Sequence, residues 1–216
     1  MDRPVYSVHL FAGAGGGILA DLLVRTEPRI AVEIEPYPRR VLALRLPGLA
    51  IWDDVCTFRA DNPDCASAFR WMREHSAELA VCGGFPCQDI SSAGKGAGVE
   101  NGERSGLWRE FARILREVGP RFVFVENSPM LVSRGLGLVL GDLASIGYDA
   151  LWHVLAASDV GARHERERIW IAATLRHPDV ELLQAKPRVP EQDANHPGVG
   201  RADDVADRDD QRKQQP

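Results

Sequence analysis

Cys87 stands in the run Gly83-Gly84-Phe85-Pro86-Cys87-Gln88-Asp89-Ile90-Ser91-Ser92. A thiolate is a good nucleophile at neutral pH, so the setting of this cysteine decides whether it does chemistry. The apolar run Leu79-Ala80-Val81-Cys82 ahead of it predicts a buried strand, and a segment carrying Gly94, Gly96, Gly98 and Gly102 follows. Pro86 fixes φ and removes a donor, which makes the turn presenting Cys87 stiff. A stiff nucleophile beside a flexible cover suggests covalent chemistry under a lid. A lone Pro-Cys pair is more often a turn with a half-buried cysteine. The other blocks of the chain reverse those odds.

The first of them is Phe11-Ala12-Gly13-Ala14-Gly15-Gly16-Gly17, set between the β-rich run 5–10 and the apolar stretch Ile18-Leu19-Ala20-Asp21-Leu22-Leu23. Strand, glycine turn and helix open a doubly wound α/β sheet, and the glycines let a ligand approach the backbone. Alone, such a loop also serves tight packing. A second strand, 29–32, ends at Glu33-Ile34-Glu35-Pro36, where an acid can accept hydrogen bonds from two ribose hydroxyls or simply lie solvated. A helix is expected over 38–46, then the strand Ala50-Ile51-Trp52 ending at Asp53-Asp54. A glycine loop, an acid and an acid pair thus fall along one sheet edge, the ligand crevice of an open α/β sheet. That pattern fits an adenosine-bearing cofactor.

Phe69, Trp71 and Met72 predict a helix leading into the fourth strand. A helical pattern from 105 to 118 stops at Gly119-Pro120, and the strand 121–125 exits at Glu126-Asn127-Ser128-Pro129. A helix over 136–146 is capped by Gly147, and strands follow at 150–156 and 169–174. Between them lies Gly161-Ala162-Arg163-His164-Glu165-Arg166-Glu167-Arg168. Alternating charges of this kind usually make a solvated, salt-bridged surface, but their place before a returning strand suits contact with an anion or a base.

A length of 216 residues, 44% hydrophobic and 26% charged, is that of a soluble chain able to bury a full core. No apolar run is long enough to span a bilayer and no signal pattern opens the chain, so a cytoplasmic location is expected. Cys56, Cys65, Cys82 and Cys87 form no CxxC pair, which indicates neither a zinc site nor a disulfide framework. Net charge is −5, with −3 of it in the last forty residues. That argues against a general nucleic-acid coat protein and leaves room for a local basic groove. Periodicity stops at His177, and the Pro-rich charged segment beyond it reads as disordered or as a linker.

With these blocks in this order, the chain resembles the DNA (cytosine-5)-methyltransferases. The resemblance runs from residue 5 to about 174, and Pro86-Cys87-Gln88, Glu126-Asn127 and Arg166-x-Arg168 carry it. It implies an α/β, Rossmann-like S-adenosylmethionine-dependent methyltransferase fold with a doubly wound, mostly parallel sheet, incomplete at its end. Residues 1–176 would be the catalytic domain, and 177–216 a tail or the start of a truncated recognition region. The resemblance assigns cofactor contacts to Phe11, Gly13, Gly15, Gly16, Glu33, Ile34, Asp54, Val55, Pro86 and Leu107. Cys87, Glu126, Arg166 and Arg168 would be catalytic, with no metal. The implied role is DNA methylation of the restriction-modification kind, on double-stranded DNA. Two departures stand out: His164 where glutamine is usual, and Ser128 where valine is common. Nothing in 175–216 resembles the family's target-recognition region or its final Gly-Asn block, so a second chain supplying both is a possible partner.

The implied chemistry begins with Cys87 adding to carbon 6 of cytosine, which turns the ring into an enamine and activates carbon 5. Glu126 would protonate ring nitrogen 3, while Arg166 and Arg168 hold the base carbonyl and a phosphate. The base must be flipped out of the duplex, and the loop 91–104, with Lys95 and Arg104, would close over it. Two other classes stay open: a truncated or partner-dependent subunit that binds the cofactor without methylating DNA alone, and an unrelated thiol enzyme pairing Cys87 with a histidine.

Overall fold

The computed structural model describes residues 5–86 and 106–176; Cys87, Lys95, Arg104 and the segment from 177 onward lie outside the described residues. The described chain runs β1 (Tyr6–Leu10), α1 (Gly16–Leu23), β2 (Glu27–Val32), α2 (Pro36–Arg45), β3 (Ala50–Trp52), α3 (Ala66–Glu74) and β4 (Leu79–Gly83). It continues through α4 (Leu107–Val118), β5 (Phe122–Asn127), α5 (Leu131–Arg134), α6 (Leu136–Ile146), β6 (Tyr148–Leu155) and β7 (Arg168–Leu175). The seven strands form one sheet in the order β3-β2-β1-β4-β5-β7-β6. All neighbours pair in parallel except β7, which runs antiparallel to both β5 and β6. This is the doubly wound, mostly parallel α/β sheet expected from the sequence.

The strand order reverses between β1 and β4, and at such a switch point the carboxyl ends of neighbouring strands diverge to leave a crevice. The glycine loop leaves β1 there, and the run toward Cys87 leaves β4 there. The main core fills the sheet face under α3, α4 and α6, where Val8, Val81, Val123, Val125, Ile169 and Ile171 alternate inward against Phe69, Phe111, Ile114 and Leu143. In α4, Trp108, Phe111, Ala112, Ile114, Leu115 and Val118 recur at helical spacing and are all buried. Each large apolar side chain buried this way contributes about 1.5–3 kcal/mol. The helix stops where Gly119 takes φ 65°, a left-handed geometry that costs glycine little, and its N–H closes on the Leu115 carbonyl at 2.8 Å.

The opposite face is covered unevenly. Ile18 of α1 and Leu42 of α2 pack over Ala31 of β2 in a second, smaller cluster. On β5, β7 and β6, the residues that alternate to that face include Phe124 at 45% exposed, Trp170 at 47% and Leu151 at 81%. Phe124 and Leu151 flank Ala172 in one row, and Trp170 stands in the next row between Glu126 and His153. No helix among the described residues is long and apolar enough to cross a membrane.

Two of the boundaries that differ from the sequence expectation bear on the site. Helix α2 starts at Pro36, because a proline suits the first turn of a helix, where its missing N–H is not needed. Strand β5 carries Glu126 and Asn127 inside the ladder, because they pair with Trp170 and Ile169 of β7. A strand two residues longer places the Glu126 carboxyl on the sheet edge instead of in a loop.

Candidate functional site

At the end of β1 the backbone turns sharply: Phe11 has φ 57°, Gly13 φ 54° and Gly15 φ 91°. A Cβ on Gly15 would come within 2.8 Å of Leu42, whereas one on Gly13 or Gly16 would meet nothing within 4 Å. The loop is thus tight on its packed side and open on the other. Facing it at the end of β2, Glu33 is 7% exposed, and its two carboxylate oxygens accept from the Gly13 N–H at 2.6 Å and the Glu35 N–H at 2.8 Å. A carboxylate oxygen has more than one lone pair, so both can take a further donor such as a ribose hydroxyl. These backbone donors fix the carboxyl without occupying it, and Glu33 is not the solvated strand-end charge that a lone acid suggests. The glycine loop and Glu33 therefore fit an adenosine-bearing cofactor.

Asp54 closes the third strand end. Its Oδ1 accepts from the Cys56 N–H at 2.8 Å, and its carbonyl receives the Thr57 and Phe58 N–H groups, which makes a tight turn. Arg113 of α4 holds that turn from below, donating to the Val55 carbonyl at 3.1 Å and the Phe58 carbonyl at 2.9 Å. The guanidinium is itself gripped by Glu110 at 2.8 Å and Glu117 at 2.9 Å. Such charge-assisted bonds, largely shielded from water, are the strong kind. Val55, expected among the cofactor contacts, buries its side chain in the core at 5% exposure, because the turn after Asp54 rolls that side chain inward. Ile34 is 65% exposed just past the end of β2, and Leu107 opens α4, half-buried against the core.

The third cluster lies where β4, β5 and β7 meet. Glu126 Oε1 accepts from Arg168 Nε at 2.8 Å, and both side chains are partly exposed. Gly84 sits directly beside them: a Cβ there would lie 2.9 Å from Glu126 Oε2 and 3.1 Å from its carbonyl oxygen. Asn127, 4% exposed, donates from Nδ2 to the Phe85 carbonyl at 3.2 Å and accepts the Ser128 N–H at 2.8 Å. The Glu-Asn pair therefore divides its work. Asn127 pins the backbone two residues before Cys87, while Glu126 points at the open edge. Arg166 is exposed with φ 31°, away from the ion pair that Arg168 makes. Pro86 is the last described residue before Cys87.

A family model described as C-5 cytosine-specific DNA methylase matches residues 5–215. The chain belongs to that family. It is 33% identical over 172 residues to the Type II methyltransferase M.CviJI of Paramecium bursaria Chlorella virus IL3A. It is 37% identical over 163 residues to the Type II methyltransferase M.NlaIV of Neisseria lactamica. These alignments take in 79% and 69% of this chain but only 43% and 35% of the two relatives, so the chain spans less than half their length. Among solved structures, the S. pombe Dnmt2 methyltransferase matches with a TM-score of 0.61 at 18% identity, over 80% of this chain and 50% of that one. The Entamoeba histolytica methyltransferase EhMeth gives 0.62 at 15% identity, over 82% and 54%. Likeness at that identity shows the fold.

Within the family frame, one cluster was not foreseen. A cleft of about 760 Å³ runs from the glycine loop, through Phe11, Gly13 and Gly16, to Glu126 and Trp170. Its floor holds His9, Asp21 and Cys82. Of the expected cofactor residues, Phe11, Gly13 and Gly16 line it, whereas Gly15, Glu33, Ile34, Asp54, Val55, Pro86 and Leu107 lie beyond its lining. His9 Nε2 contacts Asp21 Oδ2, and the Ser7 hydroxyl donates to the same oxygen at 2.5 Å. Burial, and then the Asp21 carboxylate, push the Cys82 thiol well up from its ordinary value. The signal was present in β1, a central strand of a parallel sheet, where a near-continuous apolar run is the rule and Ser7 and His9 interrupt it.

Proposed function

We propose that this chain carries the catalytic half of an enzyme that transfers a methyl group from S-adenosylmethionine to carbon 5 of cytosine in DNA. The observation that carries the reading is the convergence at the switch point. The Glu126–Arg168 pair, the Gly84 that makes room for it and the Asn127-anchored run into Cys87 lie on one side of it, and the glycine loop and Glu33 on the other. S-adenosylmethionine would be held by the Phe11–Gly16 backbone, the Glu33 carboxylate at the ribose and Asp54 at the adenine, and it supplies the methyl group.

The protein's own residues make carbon 5 reactive. Cys87 adds through its sulfur to carbon 6 of a flipped-out cytosine, and the ring electrons shift toward carbon 5 and nitrogen 3. Glu126 faces nitrogen 3 and gives it a proton, which stabilises the adduct. Arg168, bonded to Glu126, orients that carboxyl and can reach the base carbonyl, and Arg166 is left for a phosphate. Loss of the carbon 5 proton to a base in the site, return of the nitrogen 3 proton to Glu126 and departure of the sulfur as thiolate regenerate the enzyme. Of the four described histidines, His9 is committed to Asp21 and His75 bonds to the Trp71 carbonyl, while His153 on β6 and His164 before β7 are exposed. DNA is the partner. The exposed Phe124, Trp170 and Leu151 on β5, β7 and β6 favour a further polypeptide segment, in this chain or another, that would cover them and bring target recognition.

The direct test is transfer of labelled methyl from S-adenosylmethionine to mixed-sequence duplex DNA, with 5-methylcytosine identified in the digest. A methylated adenine, or a label found on cytosine N4, would overturn the reading. Cofactor binding gives a second check. Glu33→Ala is expected to weaken S-adenosylmethionine by about 1.5–3 kcal/mol, the scale of hydrogen bonds to a charged group. Equal affinity of mutant and parent in calorimetry would reject Glu33 as a ligand.

A further inference from the structure

We propose that His9, Asp21 and Cys82 form a Zn2+ site whose fourth coordination position opens onto the cleft between α1 and the sheet. The expectation from cysteine spacing was that no zinc site exists. Spacing rules detect ligands close in sequence, whereas these three come from three separate elements. His9 and Cys82 are register partners on the adjacent parallel strands β1 and β4, so both side chains leave the same sheet face. Helix α1 crosses that face and brings Asp21 down between them. The His9 ring nitrogen, the Asp21 carboxylate oxygen and the Cys82 sulfur all lie within 4.8 Å of one another.

The donor set suits zinc, which accepts imidazole, carboxylate and thiolate and keeps one position for water when three protein groups bind it. Zinc–ligand bonds of about 2.0–2.3 Å place tetrahedral donors roughly 3.3–3.6 Å apart, so the touching His9–Asp21 pair must open by about 1 Å to admit the ion, by side-chain rotation. The surroundings hold the ligands in place. The Ser7 hydroxyl, 0% exposed, donates at 2.5 Å to the same Asp21 oxygen that meets His9 and so fixes the carboxyl, as metal-binding carboxylates are usually hydrogen-bonded in turn. Gly17 leaves space for the imidazole, since a Cβ there would sit 3.2 Å from its Cε1 and Nδ1. All three ligands line the cleft, which gives both the ion and its water a way in.

On binding, the metal inserts between Nε2 and Asp21. The Nε2 proton leaves to solvent or shifts to Nδ1, and the thiol proton leaves to solvent as the metal–sulfur bond forms. Coordination deprotonates a thiol outright, which offsets the burial that keeps Cys82 protonated without metal. The bound ion would tie α1, the helix that the cofactor loop runs into, to β1 and β4. The proposal does not depend on the methyl-transfer reading.

Co2+ is the probe, added to chelator-treated full chain, because a cobalt–thiolate bond gives a near-ultraviolet charge-transfer band and tetrahedral cobalt gives strong visible bands. The expected result is one cobalt per chain with both features, displaced by Zn2+, and a higher melting temperature with Zn2+ bound. Cys82→Ser should lose the charge-transfer band while Cys56→Ser and Cys87→Ser keep it. Asp21→Asn should weaken the metal by at least about tenfold. A band that survives in Cys82→Ser, or one that needs Cys87, overturns the site. So does absence of binding at micromolar cobalt, which would leave a His9–Asp21 hydrogen bond only. Should Cys82→Ser not fold, Asp21→Asn and Ser7→Ala decide by the same titration, with parent-like affinity in both overturning the proposal.

Discussion

Cys87→Ser is expected to abolish covalent trapping on DNA that carries 5-fluorocytosine, and to lower methyl transfer by roughly 10⁴-fold or more, the scale of losing a nucleophile. Fluorine at carbon 5 cannot leave as a proton does, so the reaction should stall with the sulfur still on carbon 6. The three described cysteines make poor substitutes. Cys65 is buried and its thiol is pushed up by that burial. Cys56 is exposed, but partial burial and the Asp54 carboxylate push it up. Cys82 is held protonated most strongly of the three. Each shift favours the thiol over the thiolate at neutral pH, and the thiolate is what attacks. Cys56→Ser should therefore trap as the parent does. The measurement is a gel shift, stable to denaturant, of protein mixed with fluorinated duplex and S-adenosylmethionine, with recognition elements supplied in trans where the chain alone binds too weakly. An adduct that persists in Cys87→Ser would sink the covalent mechanism.

The sheet was legible because its signals are local. Each strand is a short apolar run, each turn has glycine or an acid at its exit, and the helical spacing of α4 is visible residue by residue. The edge acids were legible for the same reason, since a strand end and its next residue are adjacent in the chain. What the sequence hid depends on side chains meeting across elements. Nothing local says that Arg113 reaches from α4 to clamp the turn after Asp54. Nothing local says that Val55 rolls inward while its neighbour stays at the edge. His9 and Cys82 are 73 positions apart and meet only because β1 pairs with β4 in one register. The Glu126 case is intermediate. The residue was recognised as part of a block, but its place inside β5 follows from pairing with β7, which arrives much later in the chain.

That placement gives the second large effect. Glu126→Gln keeps the size and the planar shape of the side chain but removes the proton it would give to ring nitrogen 3. A positioned general acid contributes about 10²–10⁴-fold, and a loss of that order in kcat is expected. Affinity for S-adenosylmethionine should stay at the parental level, because Glu126 lies across the switch point from Glu33 and the glycine loop. Gly84→Ala reaches the same carboxyl by another route. Its new Cβ would sit 2.9 Å from Glu126 Oε2 and 3.1 Å from the Glu126 carbonyl oxygen, which is held in the ladder with β7 and cannot yield. The carboxyl must swing away, and a displacement near 1 Å at a reacting group costs about 10²-fold. Gly84→Ala should thus mimic Glu126→Gln in turnover while retaining Glu126 itself, and the double mutant should be no worse than the poorer single one. Full additivity would mean that Gly84 acts through something other than Glu126. Parental turnover in Glu126→Gln would remove the carboxyl from the mechanism and leave its ion pair with Arg168 a structural contact.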